Sequence, residues 1–177
     1  MGDLFHDDVP DRAIAKVVAT ARDLPQHTFQ LLTKRPERMR PAMYAEKVHH
    51  LQAMAMGEER RRWPLSNLWL GVTAEDQERW DERVPMLLDI PAAVRFVSCE
   101  PLLGMITPKK ALPDWLIVGG ETGSKGRPMR QKWVDRLYYQ AMFEGVPFFF
   151  KKWGSAKPAG QPEEPWPYPR AFPLEAL

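Results

Sequence analysis

The chain has 177 residues, enough for one well-buried core and too few for two domains at roughly 150 residues each. Its content of 44% hydrophobic and 27% charged residues is that of an ordinary globular protein, and no run of about 18 apolar residues is present to span a bilayer, so a cytoplasmic protein is expected. The net charge of +2 does not by itself call for a polyanionic partner, and the single cysteine, Cys99, excludes an intrachain disulfide or a metal site built from this chain's cysteines alone.

In chain order, Val9 to Leu24 opens near Pro10 and repeats Ala13, Ile14, Val17, Val18, Ala21 and Leu24 at three- and four-residue spacing, which predicts a helix with one apolar face. Thr28 to Arg35 is the first of five short apolar runs that end abruptly in charged residues or glycine. The others are Leu68 to Asp76, Val94 to Pro101, Trp115 to Thr122 and Pro147 to Gly154. Pro36 to Met56 has helical character, with Pro41 expected to interrupt or kink its first turns. Thr73 followed by Asp76 resembles a capping box, opening a helix that buries Trp80, Val84, Leu87 and Leu88. Leu102 to Asp114, rich in proline and glycine, predicts a crossover with little helix. Met129 to Glu144 sets Trp133, Leu137, Tyr138, Ala141 and Met142 on one stripe, with Gly145 as the stop. From Ser155 onward, Pro158, Pro162, Pro165, Pro167, Pro169 and Pro173 predict an extended wrap or a disordered end. The expected division is therefore residues 1–154 and a Pro-rich tail, 155–177.

Near-continuous apolar strands alternating with helices predict an α/β fold with parallel strands joined by right-handed crossovers. Five strands are too few to close a barrel, which takes eight strand–helix units. In such folds ligands collect beyond the carboxyl ends of the strands. That rule gathers Thr33, Lys34, Arg35, Thr73, Glu75, Asp76, Ser98, Glu100, Gly119, Gly120, Glu121, Lys151 and Lys152 around one mouth, with Asp3 and His6 nearby.

Lys34 and Arg35 suit a phosphate or carboxylate, against the plainer reading of a solvated turn before Pro36. Glu75 and Asp76 suit a ribose hydroxyl or an ammonium group, although carboxylates in a first helical turn also favour the helix dipole. Glu100, just before Pro101, is placed to orient a ligand or exchange a proton. The stretch Gly119 to Gly126 offers backbone N–H groups to an anion or nucleotide, with Glu121 among them, but it matches no standard phosphate-binding fingerprint. Lys151 and Lys152 are adjacent on a strand, so only one can point into the mouth. Cys99 reads as a small buried hydrophobe. His27, His49 and His50 read as surface or capping residues. Trp63, Trp69, Trp80, Trp115 and Trp133 read as packing, and for Trp153 beside Lys152 a platform on which a base can stack is the lesser alternative.

The ordered set QHTFQLLTKRPERM, LWLGVTAEDQ, VRFVSCEPLLG, WLIVGGETG, RPM and VPFFFKKWG closely resembles an uncharacterised family of phage and bacterial proteins grouped as radical SAM-like. The resemblance covers nearly the whole chain up to Gly154. It implies a partial, TIM-like (β/α) barrel whose N-terminal units are missing, since Met1 falls after the family's second strand and its three-cysteine segment. The expectation is no cofactor in this chain, with an iron–sulfur cluster and S-adenosylmethionine only where an N-terminal cysteine segment exists. The expected function is a site for a nucleoside-type or other anionic small molecule, with catalysis by this chain alone not expected. Exposed barrel edges imply pairing with a second copy or with the missing N-terminal segment, hence a homo-oligomer or a marginal monomer. The alternatives are a nucleic-acid-binding module using basic stretches 34–62 and 125–136, and an interaction protein whose Pro-rich tail docks a partner.

Overall fold

A computed structural model describes residues 2–55, 63–109, 111–156 and 168–173. Arg60, Arg61 and Arg62 of the first basic stretch, and Pro158, Pro162, Pro165 and Pro167 of the tail, lie outside the described residues. The elements run α1 (Asp11–Asp23), β1 (Phe29–Thr33), α2 (Pro36–Ala55), β2 (Leu68–Thr73), α3 (Gln77–Leu88), β3 (Val94–Cys99), β4 (Trp115–Gly119), α4 (Gln131–Glu144) and β5 (Phe148–Lys152). Each of the five apolar runs supplies one strand.

All four neighbouring pairs are parallel and the strands lie in the order β1-β2-β3-β4-β5. Sequential order with right-handed crossovers puts every connection on the same face of the sheet. The packing agrees: Leu68, Leu70 and Val72 of β2, Val97 and Cys99 of β3, and Leu116 and Val118 of β4 share one core with residues from all four helices. The crossover between β3 and β4 forms no helix among its described residues, and Leu102, Ile106 and Leu112 fill the helical layer in its place. On the opposite face Trp69, Val94, Phe96 and Trp115 form a separate cluster. There the Phe96 ring lies over Gly71, where an added Cβ would come within 2.4 Å of it.

The strand order is the order of a barrel, yet the sheet is open, with β1 and β5 as its two edges. A TIM-like closure is thus reduced to an open parallel α/β sheet. The edges are finished differently. Residues 168–173 run antiparallel to β5 through a Phe149–Arg170 bridge, Phe150 N donates to Pro169 O, and Ala171 N donates to Phe148 O. Tyr168 enters the main core and its hydroxyl donates to Asp135 Oδ1 at 2.5 Å. Along β1 the burial alternates, and Leu32 is exposed.

Two local expectations change. Asp76, rather than Thr73, caps α3, its carboxylate accepting from Arg79 N at 2.9 Å, because Thr73 stays in the ladder as the last residue of β2. The helix α2 continues through Pro41, since Met39 and Met43 on either side of it are both fully buried and hold the helix on the core. Gly145 ends α4 in the left-handed region, at φ 70°, which glycine adopts without a Cβ clash.

Candidate functional site

The carboxyl ends of the strands carry a rim of charge. Lys34 follows β1, Glu75 follows β2, Glu100 follows β3, Glu121 follows β4, and Lys151 lies near the end of β5. Three carboxylates thus stand on the three central strands and lysines on the two edges. They do not converge on a metal: no cluster of His, Cys, Asp or Glu suited to an ion occurs among the described residues. Each carboxylate has its own cation.

Glu75 is only 9% exposed and lies between two of them. Lys34 Nζ donates to Oε1 at 2.5 Å and Arg83 Nη1 to Oε2 at 3.0 Å, while the same Arg83 nitrogen also donates to Thr73 O at 2.8 Å. Burial opposes the charge on Glu75, but the hydrogen bond from Lys34, together with the charges of Lys34 and Arg83, outweighs it and holds the carboxyl below its ordinary pKa. Glu100 reaches Lys151 Nζ at 2.8 Å by lying over β4 at Gly119, where an added Cβ would come within 3.3 Å of the Glu100 side chain. Glu121 is gripped by Arg127 through Nε, Nη2 and the backbone N–H, all at 2.8 Å. Those hydrogen bonds pull its pKa down to about 2.

A pocket of about 340 Å³ opens between the Glu75 and Glu121 groups, with neither Glu100 nor Lys151 in its lining. Four residues expected from the sequence line it: Lys34, Glu75, Asp76 and Glu121. Arg79, Pro101, Leu103 and Arg127 complete the lining. The strand-end rule does not single out Arg79 and Arg83, although both follow Asp76 on the helix it caps, at positions that return to the strand end after one and two turns. By sequence Arg127 is only one member of a basic stretch.

The remaining expected residues are engaged elsewhere. Thr33 Oγ1 donates to the carboxylate of Asp3, which also accepts from Phe5 N, Lys34 N and Arg35 Nη1. Burial works against the Asp3 charge, and those donors more than compensate, lowering its pKa. Asp3, Thr33 and Arg35 therefore pin the N-terminal segment to β1. His6 pairs with Asp8 at the surface, at 3.3 Å. Ser98 and Thr73 are buried. Gly120 N donates to Lys152 O, and any Cβ on Gly120 would overlap Trp153 O at 1.8 Å, so this glycine serves strand contact. Lys152 is half-buried, and Lys151 alone reaches the rim group Glu100.

Trp153 is 1% exposed and packs on Phe150 and Tyr168, so the stacking alternative has no open face and one histidine expectation is corrected as well. His50 is buried with its ring 5.9 Å from Trp63, whereas His49 is exposed. Cys99 is fully buried, as expected of a small hydrophobe, and burial pushes its thiol pKa up. A radical SAM cluster takes three thiolates. One inaccessible thiol does not fit that group.

Fold and site together define an open parallel α/β protein with a charge-lined pocket at the carboxyl ends of its strands. Over residues 1–165 the chain matches the model of the family described as "Protein of unknown function (DUF5131)", and it belongs to that family. No curated protein and no solved structure matches it. No helix among the described residues is long and apolar enough to cross a membrane.

Proposed function

We propose that the chain binds a small anionic ligand, of nucleoside phosphate type, in the pocket between Lys34 and Arg127. One observation carries this reading: both cations line the same pocket of about 340 Å³ with donors beyond those their carboxylates use. An ammonium has three N–H donors and a guanidinium five. Lys34 gives one to Glu75, and Arg127 gives its Nε and Nη2 to Glu121. A phosphate or carboxylate placed between them takes the rest as charge-assisted hydrogen bonds. Glu75 and Glu121 then accept from hydroxyl groups of the same ligand. The volume suits a mononucleotide or something smaller, being at the lower end of the usual 300–1,000 Å³ or so for small-molecule sites.

The resemblance to phage-associated radical SAM-like proteins supports the same placement, since it implies sequential parallel strands with a ligand at their carboxyl ends. A cluster that takes three thiolates does not fit the single buried Cys99.

The nucleic-acid alternative draws less support. In the first basic stretch Arg35, Arg38 and Arg40 pair with Asp3, Asp11 and Asp89 respectively, and Lys34 lines the small pocket rather than an extended basic surface.

Calorimetric titration with inorganic phosphate, adenosine and adenosine monophosphate tests the proposal. Saturable binding of the monophosphate, weakened about tenfold or more by Arg127→Met, is the expected result. No binding at millimolar ligand, or binding unchanged in Arg127→Met, overturns it.

A further inference from the structure

The helix α2 is apolar on two sides. Met39, Met43 and Ala53 turn inward and are buried, while Tyr44, Val48 and Leu51 stand outward at 37%, 50% and 52% exposure. Spacings of four and three residues put these three on a single ridge. A surface helix with one core to cover needs one apolar stripe, so the second calls for its own partner.

Grooves flank the ridge on both sides. Toward α1 lies one of about 550 Å³, floored by Ile14, Ala15, Pro41, Ala42 and Ala45. Toward α3 lies a more open one of about 670 Å³, bounded by Pro41, Tyr44 and Met86. The α1–α2 groove exists because α2 presents proline and alanine where it meets α1, so the two helices do not fill the space between them.

We infer that this face docks a second copy of the same chain, the ridge of one α2 entering the α1–α2 groove of the other about a two-fold axis. An isologous interface must carry its projection and its recess on one patch, so that each copy supplies both. Val48 and Leu51 are the projection, continued by the exposed edge of Tyr44, whose hydroxyl donates to Asp89 O at 3.0 Å, and the alanine-lined groove beside them is the recess. Ridges of large side chains entering grooves of small ones is the ordinary way in which helices pack.

Charge points to the same occupant. Arg12, Arg38, Arg40 and Lys47 are balanced by Asp11, Glu37, Glu46 and Asp89, the last paired with Arg40, so the patch neither repels its own copy nor selects a polyanion. Area sets the strength. A 20-residue helix is about 30 Å long. With its two grooves it offers on the order of 600 Å² per copy, below the roughly 800 Å² of a standard stable interface. The dimer is therefore weak and concentration-dependent.

Sedimentation equilibrium over a concentration series to about 1 mM, on the full chain, tests this. The expected result is an average mass rising from monomer toward dimer, with the dissociation constant raised about tenfold or more by Val48→Glu and by Leu51→Glu. Leu32→Glu on the β1 edge and Phe143→Glu on α4, where the side chain is 90% exposed, are expected to leave it unchanged. All four positions are solvent-exposed, and a circular dichroism melt confirms that each variant is folded. A wild type monomeric throughout, or a dimer lost on Leu32→Glu or Phe143→Glu instead, overturns the inference.

Discussion

Glu75 and Glu121 each stand two residues beyond a strand end and line the same pocket, yet they are held in opposite ways. The cations of Glu75 come from two other places in the fold, Lys34 just after β1 and Arg83 on the second turn of α3, and the group is nearly sealed from water. Glu121 is held by Arg127, six residues on in the same loop, with the arginine largely in solvent. Ion pairs between distant elements in low dielectric fix the fold, because breaking one strands a buried charge. A pair within one exposed loop fixes little, and its members can exchange one another for a ligand. The rim therefore divides into a structural half and an exchangeable half, with the pocket between them.

The sharpest way to break that division is Arg83→Met. The substitution keeps an apolar stem against the core but leaves Glu75 with Lys34 alone. Removing one member of a buried ionic group typically costs about 3 kcal/mol or more. Urea unfolding is expected to show a loss of that size, and a change below about 1 kcal/mol would move Glu75 to the exchangeable side.

A smaller effect is expected from acid. The pKa of Glu75 is lower folded than its ordinary 4.5, so its contribution is complete above that value and is lost as pH falls through the folded pKa. Asp3, lowered from 3.8, acts in the same direction at somewhat lower pH. The stability difference between wild type and Glu75→Gln should thus be constant near neutrality and shrink below about pH 4.5. A difference independent of pH down to about 3 would show that the charge on Glu75 contributes nothing.

How much of this is legible in the sequence depends on whether the signal is local. The strands are plain because apolar runs ending at Thr33, Thr73, Cys99, Gly119 and Lys152 announce buried parallel strands one by one. Which residues share the rim is half legible. The end-of-strand rule finds Lys34, Glu75, Asp76 and Glu121, since it needs only a strand end and an alternation. It misses Arg79 and Arg83, whose role depends on where α3 begins, and a capping assignment anchored on Thr73 hides that phase. Arg35 and Thr33 are legible as strand-end residues, but their contact with Asp3, some thirty positions away, is not. Openness of the sheet is not legible either, because strand order and closure are properties of pairing across the fold. The same holds for Arg170, whose guanidinium donates to Phe150 O and Lys151 O and fastens the tail along β5.

The weakest expected effect is also the most discriminating. Glu121→Gln removes a charge that only Arg127 opposes, on a loop already open to solvent, so the urea midpoint should not move measurably. Anion affinity should move. With the carboxylate neutral, Arg127 keeps its full charge and recovers donors for the pocket, and a bound phosphate no longer faces Glu121 as a like charge. Adenosine monophosphate should bind severalfold more tightly to Glu121→Gln than to wild type, while uncharged adenosine should bind no more tightly. A lowered urea midpoint with unchanged monophosphate affinity would mean that the Glu121–Arg127 pair fastens its loop as Glu75 fastens β2. Both halves of the rim would then be structural.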